Sequence, residues 1–137
     1  MKSEEKLLKI AKKKGWDYVF RFQKLSEKFI NKYQNNIDWW NISCKQKLSE
    51  NFIEKYQDKV DWYWISQKQT LSESFIKKYQ DRVDFGGISY CQHLSEEFVL
   101  NNFSKIDLDE LKQNKHFDFK NIENKELKLL LYLRGES

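Results

Sequence analysis

The chain has no proline in 137 residues. No fixed φ or proline kink punctuates it, so helix starts and stops must be written with capping side chains. Glycine is almost as scarce. The four glycines stand at 15, 86, 87 and 135, a spacing that excludes a glycine-rich phosphate loop. Two cysteines, Cys44 and Cys91, make no disulfide framework and fit a reducing, cytoplasmic setting. No apolar run approaches the roughly 18 residues that a membrane span needs. No charged-then-apolar leader follows Met1, so neither a secretory nor a membrane-bound protein is expected.

Aromatic residues, by contrast, make up 16% of the chain, too many for a disordered segment. The formal net charge is +4 and unevenly placed: residues 1–24 hold eight basic side chains against three acidic ones. The remainder is close to neutral, which argues against a continuous groove for nucleic acid.

A line of 23 residues is written repeatedly. Residues 25–47 read LSEKFINKYQNNIDWWNISCKQK and residues 48–70 read LSENFIEKYQDKVDWYWISQKQT. These two share 14 of 23 letters, far above chance, and residues 71–93 repeat the pattern a third time. Residues 94–116 form a divergent fourth line, and residues 1–24 keep Ser3, Glu4, Trp16 and Gln23 in register. Decayed end copies are expected of stacked repeats, whose outer faces meet water.

Each line reads as two short helices. Ser49 is a good N-cap, and Leu48, Phe52, Ile53 and Tyr56 then follow helical spacing. Asp61 is a second N-cap, and Trp62, Ile65, Ser66 and Gln69 fall on one face. Helices of about nine residues are marginal alone and must be held by stacking. The predicted fold is therefore all-α: an α-solenoid of short helical hairpins spaced by about 10 Å. A single domain over 1–137 is expected, with 1–24 as a basic N-terminal cap, 25–93 as three regular repeats, 94–116 as a divergent repeat and 117–137 as a C-terminal capping helix ending at Gly135. Trp39 and Trp62 are expected in the core, and Gln46, Gln69 and Gln92 are expected to bond backbone between copies.

The consensus LSExFIxKYQxxxDWxxISxxQ resembles a short tandem repeat of bacteriophage and giant DNA virus proteins, over about residues 25–103. The resemblance implies a viral or prophage source, a place in the host cytoplasm and an interaction role. By analogy of context with small phage proteins, it extends to inhibitors of host defence, anti-CRISPR proteins among them. It supplies no catalytic residues.

Repetition separates scaffold from site. Letters kept in every line build the stack, and letters free to vary face water or a partner. Beside the kept face of the second helices runs a variable one. It carries Tyr18 and Arg21, then Trp40, Asn41 and Cys44, then Tyr63 and Trp64, then Gly86, Gly87 and Tyr90, then Asp109 and Glu110. An aromatic ridge beside a glycine notch suits docking on a host protein, because Trp, Tyr and Arg dominate binding hot spots. The competing reading packs Trp40 and Trp64 between copies. Glycine in a helix interior is unfavourable by about 1 kcal/mol, so Gly86 and Gly87 mark either close backbone approach or simple decay of the repeat.

Two other binding classes follow from the ends. Lys9, Lys12, Lys13, Lys14 and Arg21 form a basic end suited to phosphate contacts with nucleic acid. The C-terminal LLLYL segment suits self-association into a homo-oligomer. No enzymatic site, metal or cofactor is expected. Cys44, Cys91, His93 and His116 match a zinc set in number, but the repeat separates the two cysteines by two copies, about 20 Å. Cys91 and His93 have no orienting third group for nucleophilic chemistry.

Overall fold

In a computed structural model, residues 1–136 are described, and among them every regular element is helical. The chain divides into two compact units, Met1–Gln69 and Thr70–Ser137. The division falls at the end of a line, so no hairpin is cut. The first unit contains α1 (Glu4–Lys14), α2 (Trp16–Phe22), α3 (Glu27–Lys32), α4 (Trp39–Lys45), α5 (Glu50–Lys55) and α6 (Trp62–Lys68). The second contains α7 (Glu73–Lys78), α8 (Phe85–Cys91), α9 (Glu96–Asn101), α10 (Leu108–Gln113) and α11 (Lys125–Leu133). Single 3₁₀ turns occupy Gln34–Asn36 and Phe119–Asn121. No helix is long and apolar enough to cross a membrane.

The fold is the expected all-α helical repeat, with shorter helices than the spacing suggested. Repeat helices run six or seven residues rather than nine, because both boundaries are fixed chemically. Ser26, Ser49, Ser72 and Ser95 each turn a hydroxyl oxygen back to accept the N–H three residues on, at 3.0–3.2 Å. Asp61, Asp84 and Asp107 do the same for the second helices. Asp38 accepts two residues on, from the Trp40 N–H. Each second helix stops where its glutamine turns extended, with ψ near 151° at Gln46 and Gln69. Gly15, at φ 89°, makes the break between α1 and α2. Gly135, at φ 76°, follows the last helix as expected.

Within the first unit α2, α4 and α6 pack in series, and α1 lies on α2. Within the second, α8 packs on α10 and α9 on α11. Two apolar spines recur at the 23-residue period. Val19, Ile42 and Ile65 in the first unit, and Ile88 and Leu111 in the second, are fully buried. So are Ile30 and Ile53, then Ile76 and Val99, with Ile122 nearly so. The Leu and Phe of LSExF are buried as well.

Within each unit, polar rungs tie successive hairpins together. Gln46 donates from Nε2 to the carbonyls of Phe20 at 2.7 Å and Gln23 at 2.8 Å, and its Oε1 accepts the Leu25 N–H at 3.0 Å. Gln69 repeats this with Ser43, Gln46 and Leu48. In the divergent line Asn114, one residue early and one methylene shorter, donates to the carbonyls of Ser89 and Gln92. The backbone pairing expected of these amides is therefore present. A second rung was not foreseen: the glutamate of LSE accepts from the next serine. Glu27 binds the Ser49 N–H at 2.5 Å and its hydroxyl at 3.0 Å, and Glu73 binds Ser95 likewise. A third joins Ser43 Oγ to the Asp61 N–H and Ser89 Oγ to the Asp107 N–H.

Trp39 and Trp62 correct the sequence reading in part. Both are half-buried rather than core. Trp39 does lie on the next line, 4.9 Å from the Tyr56 ring and 6.4 Å from Phe52. Trp62 keeps one edge near polar backbone, where its indole N–H donates to the Gln57 carbonyl. A buried indole needs such a partner, and the hairpin edge supplies it.

Candidate functional site

The first unit gathers three of the predicted recognition residues. Trp40 is the second residue of α4, and Tyr63 and Trp64 are the second and third of α6, all in the first turn after an aspartate cap. The Trp40 and Trp64 rings meet edge to face at 5.6 Å and 83°. Tyr63 and Trp64 meet the same way at 5.1 Å and 84°. Packing and exposure coexist here, since Trp40 is 40% and Tyr63 51% exposed while Trp64 is half-covered between them. The Lys68 ammonium stands 5.9 Å from the Trp64 ring. Edge-to-face pairs hold their rings in preferred geometry, so the cluster presents a rigid apolar knob.

Tyr18 and Arg21 sit on α2 in a second aromatic group. Tyr18 lies 5.0 Å from Phe22, whose ring the Arg21 guanidinium covers at 5.3 Å. Phe22, 61% exposed, is the residue that sequence reasoning missed. Its signal was available: the same register position holds Lys45, Lys68 and Cys91 in later lines.

Asn41, read as part of the variable outer face, is buried instead. Its Nδ2 donates to Asp17 at 3.1 Å and Asp38 at 3.0 Å. Gly87, at the equivalent position, is buried too, and its N–H donates to the Asp84 cap. At this register position Asn41 and Gly87 are buried, while Tyr18, Trp64 and Glu110 are half-buried. Gly87 is thus removed from the recognition surface.

Gly86 is half-buried. A Cβ placed on it meets Asp84 Oδ2 at 3.5 Å, an ordinary contact that does not require glycine. Decay of the repeat therefore accounts for Gly86 better than close approach. Gly86→Ala is expected to raise stability by about 0.5–1 kcal/mol, the helix-propensity difference, in urea unfolding followed by circular dichroism. Elsewhere in the second unit Tyr90 is 43% exposed, Asp109 is exposed and Glu110 is half-buried. No ring contact joins these three.

The basic end is exposed and only partly engaged. Lys9 pairs with Glu5 at 2.8 Å, and the Lys14 ammonium lies 4.4 Å from the Tyr18 ring. Lys12, Lys13 and Lys14 close α1, where cations complement the helix dipole. Glu4 is tied across to the next line: hydrogen bonds from Lys32 at 2.5 Å and Tyr33 at 2.6 Å hold its carboxyl below the usual range. The first unit counts 15 Lys and Arg against 9 Asp and Glu; the second counts 10 against 12. Five of the first unit's six surplus positive charges lie in residues 1–24, and residues 25–69 add only one.

At the end of the second unit, Phe117, Phe119, Ile122, Leu131 and Tyr132 line an open groove of about 880 Å³. The Glu136 carboxylate beside it holds the Lys112 ammonium above its ordinary range. Leu129, Tyr132 and Leu133 are well exposed on α11, so the LLLYL segment does leave an apolar face. Among the described residues no three metal-ligating side chains converge.

No known protein family, curated protein or solved structure matches the chain.

Proposed function

We propose that the chain is a non-enzymatic binding protein of the helical-repeat type, and that Trp40, Tyr63 and Trp64 are its principal contact with a partner protein. One observation carries the reading. Two rings that the repeat does not require stand 40% and 51% exposed on a rigid scaffold, in contact with a third. At the Trp40 position other lines hold Asp17, Gly86 and Asp109, so the stack is built equally well without an aromatic there. Rings fixed before binding lose little conformational freedom on docking, which favours them as anchors.

The surrounding charge bears on the partner. Lys45 and Lys68 are exposed on α4 and α6, and Arg21 is exposed on the neighbouring α2, in a unit with a surplus of six positive charges. A partner surface bearing carboxylates around an apolar pocket is complementary to this, and such complementarity acts chiefly on association rate. A viral chain acting on a host protein is the setting implied by the repeat's resemblance.

The test is the triple variant Trp40→Ala, Tyr63→Ala, Trp64→Ala. It should keep the helical circular dichroism signal and lose capture of the wild-type protein's partner by a hundredfold or more, as expected when several hot-spot rings are truncated. Undiminished capture by the folded variant rejects the assignment. Capture that persists in the variant but disappears after nuclease treatment would instead favour the basic end and nucleic acid.

A further inference from the structure

The loops closing two successive hairpins of the second unit carry histidine at one register position. His93 and His116 are 23 residues apart. Their rings stack with centroids 3.7 Å apart and planes inclined by 28°. Both are exposed, and earlier lines hold Lys24, Lys47 and Thr70 at this position, so the repeat requires neither imidazole. One buried side chain fixes both loops. Asn114 accepts the His116 N–H at 2.8 Å and donates to the carbonyl of Gln92, the residue before His93, at 2.8 Å. The two loops are therefore tied to each other through Asn114, and the imidazoles they carry stack above that tie.

Imidazole is the commonest side-chain metal ligand, with metal–nitrogen bonds of about 2.0–2.1 Å. Two nitrogens sharing one ion, at angles between a right angle and the tetrahedral value, stand about 3.0–3.4 Å apart. The stacked rings lie within reach of a shared ion, but each lone pair lies in its ring plane, so binding requires the two exposed side chains to leave the stack and turn until both planes meet at the metal. We propose that His93 and His116 form a two-imidazole site for a first-row transition ion, independent of the aromatic cluster in the first unit. Cu²⁺ is the tightest expected occupant, followed by Ni²⁺ and Zn²⁺, whereas Mg²⁺ and Ca²⁺ seek oxygen ligands. With no third protein ligand converging, water completes the coordination shell. Cys91 shares a cavity of about 230 Å³ with His116, so a thiolate is the competing ligand to be separated.

The full chain would be titrated with NiCl₂, CuSO₄ and MgCl₂. Ni²⁺ should raise the thermal midpoint progressively with concentration, by mass action on the folded state, and Mg²⁺ should not. The electron paramagnetic resonance spectrum with Cu²⁺ should show coupling to two nitrogen nuclei. His93→Thr and His116→Lys should each weaken Ni²⁺ tenfold or more. Both should fold, because Thr70 and Lys47 occupy the same position in other lines. Cys91→Ser should leave the response unchanged. The site is overturned by an absent Ni²⁺ response, by a response that survives both histidine variants, or by one lost in Cys91→Ser.

Discussion

Gln46→Leu should lower the unfolding free energy by about 2–6 kcal/mol, from two buried partners each left unmet at about 1–3 kcal/mol, with a third, part-buried carbonyl adding less. The side chain is 5% exposed and uses both ends: two carbonyls take its N–H groups and one N–H meets its oxygen. Leucine fills a similar volume, so the loss is chiefly of hydrogen bonding, and Phe20 and Leu25 cannot regain water without opening the junction. Since ordinary domains have about 5–15 kcal/mol in total, a loss of this size removes much of the stability. Urea unfolding followed by circular dichroism reads it. Lys47→Ala, exposed and one residue on, is the control and should stay within about 0.5 kcal/mol. A loss below about 1 kcal/mol in Gln46→Leu would mean that water or relaxation replaces the rung.

Ile42→Ala should be of comparable size, about 2–5 kcal/mol, and Ile42→Val about 0.5–1.5 kcal/mol. Ile42 has no exposed surface and lies on α4, the helix flanked by α2 on one side and α6 on the other. Neither neighbour can collapse into the void without abandoning its own rungs, which places the expected loss toward the upper part of the range. The same urea experiment checks it. A loss for alanine no greater than for valine would show that the junction closes over the cavity.

The period was the most legible feature. Ser and Asp at fixed spacing announced two caps per line, and the apolar letters between them gave both spines. The aromatic knob was legible as well, because Trp40, Tyr63 and Trp64 depart from a template the chain itself provides. Inward and outward were harder to separate. Asn41 sits beside Trp40 in sequence yet points to Asp17 and Asp38, because a 100° turn per residue places neighbours on different faces. Helix length was overestimated because the glutamine was counted as a helical face residue, whereas its extended ψ ends the helix and frees its amide for the preceding hairpin. Asn114 escaped notice because it breaks register by one position while doing the same work. Phe22 was passed over because the first line is too decayed to read as a template.

The amide rungs also bear on how such a chain can grow. Gln46 reaches back to the carbonyls of the preceding hairpin, while Glu27 offers its carboxylate forward to the following serine. Each line thus carries a complete socket on one side and a complete plug on the other. Copying 23 residues in tandem adds a fitted module without inventing a new surface, whereas the rung at 22 residues is met by Asn114 with a side chain one methylene shorter. Length is adjustable in fixed steps, and the outer letters remain free to diverge once a module is in place.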